Sequence, residues 1–216
     1  MHIHTLLSFI PVALLLAFAP GPDNLGVLAL GVSRGRRESL GFAIGCAAGC
    51  LNHTLLAALG ISALIATSPL AFHILQYSGA AYLAWMGFQA LRSRGVSLTR
   101  PQPTGTGNGF TPYFRRGLIA NAINPKVALF FLAFLPQFVV PGAWPAPLQI
   151  LALGLVFAVC STLVFALIAI GANRIGAWLR GRERFALWLD RVTGGLFIAL
   201  GLKLAFSGSG LAFHHS

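Results

Sequence analysis

Two residues of opposite charge each follow a proline inside an otherwise apolar stretch. Asp23 lies in Ala19-Pro20-Gly21-Pro22-Asp23-Asn24, and Lys126 ends Asn121-Ala122-Ile123-Asn124-Pro125-Lys126. A proline break leaves backbone groups without helical partners. Such groups, with an acid and a base nearby, suit a solute that carries both signs of charge. The candidate binding residues are Asp23, Asn24, Asn121, Asn124 and Lys126, whose amides add directional hydrogen bonds. Pro20, Gly21, Pro22 and Pro125 supply the helix breaks. His53, beside Asn52, reads equally as a proton carrier alongside Asp23 or as a packed, hydrogen-bonded histidine. Ser161 and Thr162 read first as bonding to their own helix backbone, with lining of the solute's path as the lesser alternative. Cys46, Cys50 and Cys160 read as small packing residues. No Cys/His spacing matches a zinc site, so neither a metal nor a cofactor is expected.

The elements that carry these residues are set by composition. Charged residues make up 9% of the chain and hydrophobic ones 56%, against about 25% charged in a soluble domain. A helix needs ~20 mostly apolar residues to cross a bilayer. Six such segments occur, at roughly 3–33, 39–66, 69–91, 117–140, 147–172 and 187–206. They are continuous apolar runs rather than the short alternating ones of a barrel, so the fold class is an all-α polytopic membrane protein. Ala17-Phe18-Ala19 resembles a signal-peptidase site. No Lys or Arg precedes it and Pro20 follows it, so this segment reads as a retained first span.

A net charge of +11 would suit nucleic acid, but its placement points elsewhere. All basic residues except Lys126 and Lys203 lie in alternate loops: Arg34, Arg36 and Arg37; Arg92, Arg94, Arg100, Arg115 and Arg116; Arg174, Arg180, Arg182, Arg184 and Arg191. Positive loops stay cytoplasmic. Both termini should therefore face outward, and the partner is a bilayer rather than nucleic acid.

The chain divides into 1–91, a first set of three spans; 92–116, a basic, Pro/Gly-containing cytoplasmic linker; 117–206, a second set of three; and 207–216, a short external tail. Ser78-Gly79-Ala80-Ala81-Tyr82-Leu83-Ala84-Trp85-Met86-Gly87 resembles Thr193-Gly194-Gly195-Leu196-Phe197-Ile198-Ala199-Leu200-Gly201 with a one-residue gap. Three spans per copy invert the second copy, which predicts two inverted three-helix repeats with a broken first helix in each. Gly41, Gly45 and Gly49 form a small-residue ridge for helix packing.

Counting from the arginines gives depth. Asp23 lies 11 residues before Arg34, ~16 Å along a helix, and Lys126 lies 10 after Arg116, ~15 Å. Both then sit near the bilayer centre, where a lone charge is costly, so they should face each other or a polar cavity. Half-helices starting at Pro22 and at Pro125, the latter capped by Asn124, would add free N–H groups that favour a carboxylate. An amino acid fits such a site: ammonium near Asp23, carboxylate near the half-helix starts and Lys126. A simple structural ion pair is the competing reading. An exporter of a metal ion or other small solute would want more ligands at one level. An intramembrane enzyme would need elements that are missing, since of the four acidic residues Glu38, Glu183 and Asp190 sit at loop edges. A homo-oligomer could build a lined pore that one copy does not show.

The Ala-Pro-Gly-Pro-Asp run, Ser33-Arg34-Gly35-Arg36-Arg37, the glycine-rich second span with His53, and Asn124-Pro125-Lys126-Val127-Ala128-Leu129-Phe130-Phe131 together resemble the lysine exporter/threonine exporter (LysE/RhtB) translocator family. So do Phe134-Leu135-Pro136-Gln137-Phe138 and the Gly79–Gly87 span, and the similarity covers essentially 3–206. The resemblance implies no enzyme but a small six-helix transporter of the bacterial inner membrane. It would export an amino acid or close derivative by proton antiport, with alternating access at a midplane site.

Overall fold

The computed structural model describes residues 3–93, 108–140, 142–179 and 182–206, all helix and connecting turns. Helix α1 spans Ile3–Phe18, α2 Pro22–Ser33, α3 Arg36–Thr67, α4 Pro69–Arg92, α5 Phe110–Ala122 and α6 Pro125–Leu129. A π-helical turn over Phe130–Phe134 and a 3-10 turn over Leu135–Phe138 continue α6. Helix α7 spans Ala146–Leu179 and α8 Glu183–Phe206. The central part of the expected linker (94–107), Arg180 and the expected tail (207–216) lie outside the described residues.

Among the described residues, three helices are long and apolar enough to cross a membrane: Arg36–Gly60 of α3, all of α7, and Arg184–Phe206 of α8. Two bent pairs bring the number to five: α1 with α2 at 55°, and Phe110–Ala122 with Pro125–Phe138 at 50°. The third expected span, α4, has the length at 24 residues, but His73, Gln76, Tyr77 and Ser78 dilute its apolarity. Helix α7 is apolar all round, with Leu153, Phe157 and Val164 buried and Leu155, Val159, Leu163 and Leu167 exposed. An apolar helix with an exposed apolar face belongs in lipid.

Helix α5 begins at Phe110, inside the stretch expected to be linker. Tyr113 is fully buried, and the Glu38 carboxylate accepts from the Gly109 backbone N–H at 3.1 Å, which fixes the start of α5 against the start of α3. The glycine ridge packs here. A Cβ on Gly45 would collide with the Phe114 carbonyl oxygen, and one on Gly117 with that of Phe42. The α3–α5 contact is therefore backbone against backbone, as small residues allow in a membrane. Helices α4 and α8 form a second such pair: a Cβ on Gly87 would lie 2.6 Å from the Gly194 carbonyl oxygen. Helix α2 packs against both α3 and α7, which also contact each other directly. The largest apolar cluster gathers Phe9, Phe130, Phe131, Phe134 and Phe157 beside the second break.

Candidate functional site

The site starts at the two breaks. Pro20 and Pro22 lack N–H donors, so α1 stops at Phe18, and α2 restarts with Pro22 in its first turn. The residue before a proline is forced out of helical geometry. Gly21 is accordingly extended, at φ −172° and ψ 177°, and Asn124 lies at φ −76° and ψ 109°. The Asn124 side chain accepts from the Lys126 backbone N–H at 3.1 Å, capping α6. Asp23 and Lys126 thus occupy the same place, directly after the proline that opens each second half-helix.

The two charges do not pair with each other. Lys126 Nζ donates to the carbonyl oxygens of Leu16, at 3.2 Å, and Ala19, at 2.9 Å. Asn24 Nδ2 donates to Ala17 O at 2.7 Å. Together they satisfy the open end of α1, whose last carbonyls have no helical donors and carry the negative end of the helix dipole. Asp23 reaches the other way: its Oδ2 accepts from Asn121 Nδ2, in the last turn of α5, at 2.7 Å. Each second half-helix therefore sends its charged side chain to the end of the opposite first half-helix. Asp23 is 4% exposed and Lys126 5%, so both are enclosed.

Between them lies a cavity of about 10 Å³ lined by Asp23, Asn24, Asn121, Lys126, Cys50 and Ser161, among others. That is room for roughly one water. Three of its lining residues carry a buried oxygen with no hydrogen-bond partner: Asp23 Oδ1, Asn121 Oδ1 and Ser161 Oγ. A carboxylate and an amide oxygen only accept, and a hydroxyl can accept, so the arrangement calls for a donor with several N–H or O–H bonds. The charge on Asp23 favours a cationic donor. An ammonium group meets both demands.

His53 is buried, and its Nε2 lies 2.9 Å from the Asn121 carbonyl oxygen. That oxygen only accepts, so Nε2 carries the proton. His53 fixes the backbone of the residue whose side chain holds Asp23, one step removed from the cavity. Beyond α6 the aromatic rings close over the site: Phe130 stacks with Phe9 at 6.3 Å and meets Phe157 at 5.1 Å, and Phe131 meets Phe157 edge-on at 5.2 Å.

All five expected binding residues line this cavity. Two further residues line it: Ser161, read chiefly as bonding to its own helix, and Cys50, read as a packing residue. Thr162 bonds to the Ala158 carbonyl as expected, at 2.7 Å, but Ser161 does not bond to its own helix. Its hydroxyl lies among the cavity walls, and only the i, i+4 phase of Phe157, Ser161 and Phe165, all three lining the cavity, could have indicated that. Cys50 lines it too and shares the His53 face of α3. Asp190, expected at a loop edge, is buried within α8 and takes no part in the site. Among the described residues, no three of His, Cys, Asp and Glu converge.

Residues 14–208 match the family described as LysE type translocator. The chain is 36% identical to the uncharacterized membrane protein PA4757 of Pseudomonas aeruginosa over 86% of its own length and 88% of that relative's. It is 32% identical to the homoserine/homoserine lactone efflux protein of Salmonella typhimurium, over 92% of this chain and 94% of the relative. It is also 32% identical to the threonine efflux protein of Escherichia coli K12, over 94% and 99%. No solved structure matches.

Proposed function

We propose that this chain, which belongs to the LysE type translocator family, exports an amino acid or close derivative from the bacterial cytoplasm by proton antiport. Membership of a family of translocators sets the intramembrane-enzyme reading aside. Support for an amino-acid solute comes from relatives named for homoserine, homoserine lactone and threonine efflux, and from the site itself.

The observation that carries the reading is the set of three unpartnered oxygens, one on a carboxylate, around a single cavity. The substrate's ammonium takes Asp23 Oδ1, Asn121 Oδ1 and Ser161 Oγ. Its carboxylate turns to the start of α6 and to Lys126, which can release one α1 carbonyl as it binds. The amide groups of Asn24 and Asn124 border the same space. Protonation of Asp23 removes the charge that holds the ammonium. A proton and a substrate therefore compete for one carboxylate, which is the elementary requirement of antiport.

The cavity holds about one water, so a substrate reaches it only when the walls part. Six spans in two inverted repeats provide the moving parts in this reading. The matching bends of 55° and 50° and the crossed reach of Asp23 and Lys126 support that symmetry. The halves rock about the site, the arginine-rich loops stay cytoplasmic, and both termini lie outside.

The test is accumulation of labelled amino acids in everted membrane vesicles under an imposed proton gradient. Gradient-dependent accumulation of one or more amino acids is expected. None across a broad panel, in vesicles containing the protein, would favour a metal ion or another small solute.

A further inference from the structure

A second cavity, of about 320 Å³, opens between α2, the second half of α7 and the start of α8. It exists because α8 packs its glycines along α4 and makes few contacts with α7. Its α7 wall runs from Ile168 to Leu179, ~16 Å along a helix. That matches one leaflet, half of a hydrocarbon core of ~30 Å. Phe18 in its wall is 57% exposed, so the cavity meets the outer apolar surface of the helices. Among the described residues the one polar side chain in the lining is Asn24, and its Nδ2 is held by the α1 carbonyls. An amino acid would lose its water there without partners for its charged groups. An acyl chain has no such groups to satisfy.

The rim of the cavity has the opposite character. Leu179 and Ala186 line it on either side of the α7–α8 turn, and the sequence of that turn, Arg180-Gly181-Arg182-Glu183-Arg184, sets three arginines against one glutamate. Arg182 and Arg184 are exposed, as are Arg174, next to Ile175, and Arg34, which ends α2. All three helices around the cavity therefore carry arginine toward the same side. Trp178 meets Phe185 edge-on at 4.6 Å and lies 4.4 Å beneath the Arg182 guanidinium. Tryptophan gathers at the headgroup level, and basic pockets between spans bind lipid headgroups. We propose that this cavity seats an acyl chain of an anionic phospholipid whose phosphate is held by Arg182 and Arg184. The chain supplies the packing between α7 and α8 that the glycine seam with α4 forgoes. The proposal does not depend on the export reading above.

The experiment reads lipid retained by the purified full chain in detergent, by native mass spectrometry, after it is offered phosphatidylglycerol and phosphatidylcholine of equal chain length. Phosphatidylglycerol should be retained in preference. Arg182→Gln with Arg184→Gln should weaken that retention by roughly fivefold for each arginine removed. Both side chains are exposed, so this variant should fold. Ala186→Phe and Ile175→Phe fill the cavity from different walls and should weaken retention about fourfold for each methylene displaced. Either one, if folded, decides the point. Glycerophosphoglycerol, the same headgroup without chains, should not compete. Equal retention of phosphatidylcholine, or unchanged retention by the Gln variant, would overturn the headgroup contact and with it the proposal. Unchanged retention by a filled variant, or competition by the chainless headgroup, would leave only a surface contact and overturn the cavity as the seat. Displacement of the lipid by a transported amino acid would give the space to solute and overturn the proposal as well.

Discussion

Lys126 commits its hydrogen bonds to the end of α1, and Asp23 commits one of its two oxygens to Asn121, so substitutions at the two charges should differ in kind. Lys126→Met leaves the Leu16 and Ala19 carbonyl oxygens without donors in a buried place. Unsatisfied buried acceptors cost ~1–3 kcal/mol each, so this variant should lose on the order of 2 kcal/mol or more, read as a lowered melting temperature in detergent. A melting temperature equal to wild type would mean that Lys126 does not hold the break. Asp23→Asn keeps an oxygen to accept from Asn121 and should fold normally. It should nonetheless lose most of its transport, and what remains should not depend on pH, because no carboxylate is left for proton and ammonium to share. Retained pH dependence in that variant would move the coupling to another group, His53 first. The type and position of both charges were legible in the sequence. Their partners were not, because a side chain as long as lysine can reach a helix end that spacing along the chain does not reveal.

The same contrast holds for the helices. Proline chemistry announced both breaks, and the four-residue glycine ridge announced a close helix contact. The ridge did not say which helix would fill it. That partner is α5, whose Gly117 answers Gly45 from the other side. Gly45→Leu should force the two backbones apart and cost more than about 3 kcal/mol, beyond ordinary overpacking. The readout is loss of monodisperse protein on size exclusion. Gly60, in the same helix, has open space where a Cβ would lie, with nothing within 4 Å. Gly60→Ala should stabilise by roughly 0.5–1 kcal/mol through reduced backbone entropy of the unfolded chain. If both variants behaved alike, the seam would not be the determinant. The π-helical turn at Phe130–Phe134 had no sequence signature. Its rings pack on Phe9 and Phe157, contacts between distant parts of the chain that no local pattern encodes.

For the whole molecule, composition made the membrane class legible, the continuous apolar runs made the helices legible, and the distribution of arginine gave an expected orientation. The polar character of α4 was less expected. It is tolerable because α4 turns Gln76 inward, where Nε2 donates to the Leu204 carbonyl at 2.7 Å. The expected orientation predicts that Arg36→Cys and Arg115→Cys react with an impermeant thiol reagent from the cytoplasmic side alone, and Trp144→Cys from the outside alone. The native cysteines are buried, so background should be low, and reaction of Arg36→Cys from outside would invert the topology. Whether substrate ammonium and proton share Asp23 is decided by proton flux in proteoliposomes on addition of a transported amino acid. Substrate should drive proton movement through wild type, whereas Asp23→Asn, neutral like the protonated acid, should hold substrate weakly and move no protons in response to it. Proton flux through Asp23→Asn at the wild-type ratio to substrate would contradict a shared carboxylate.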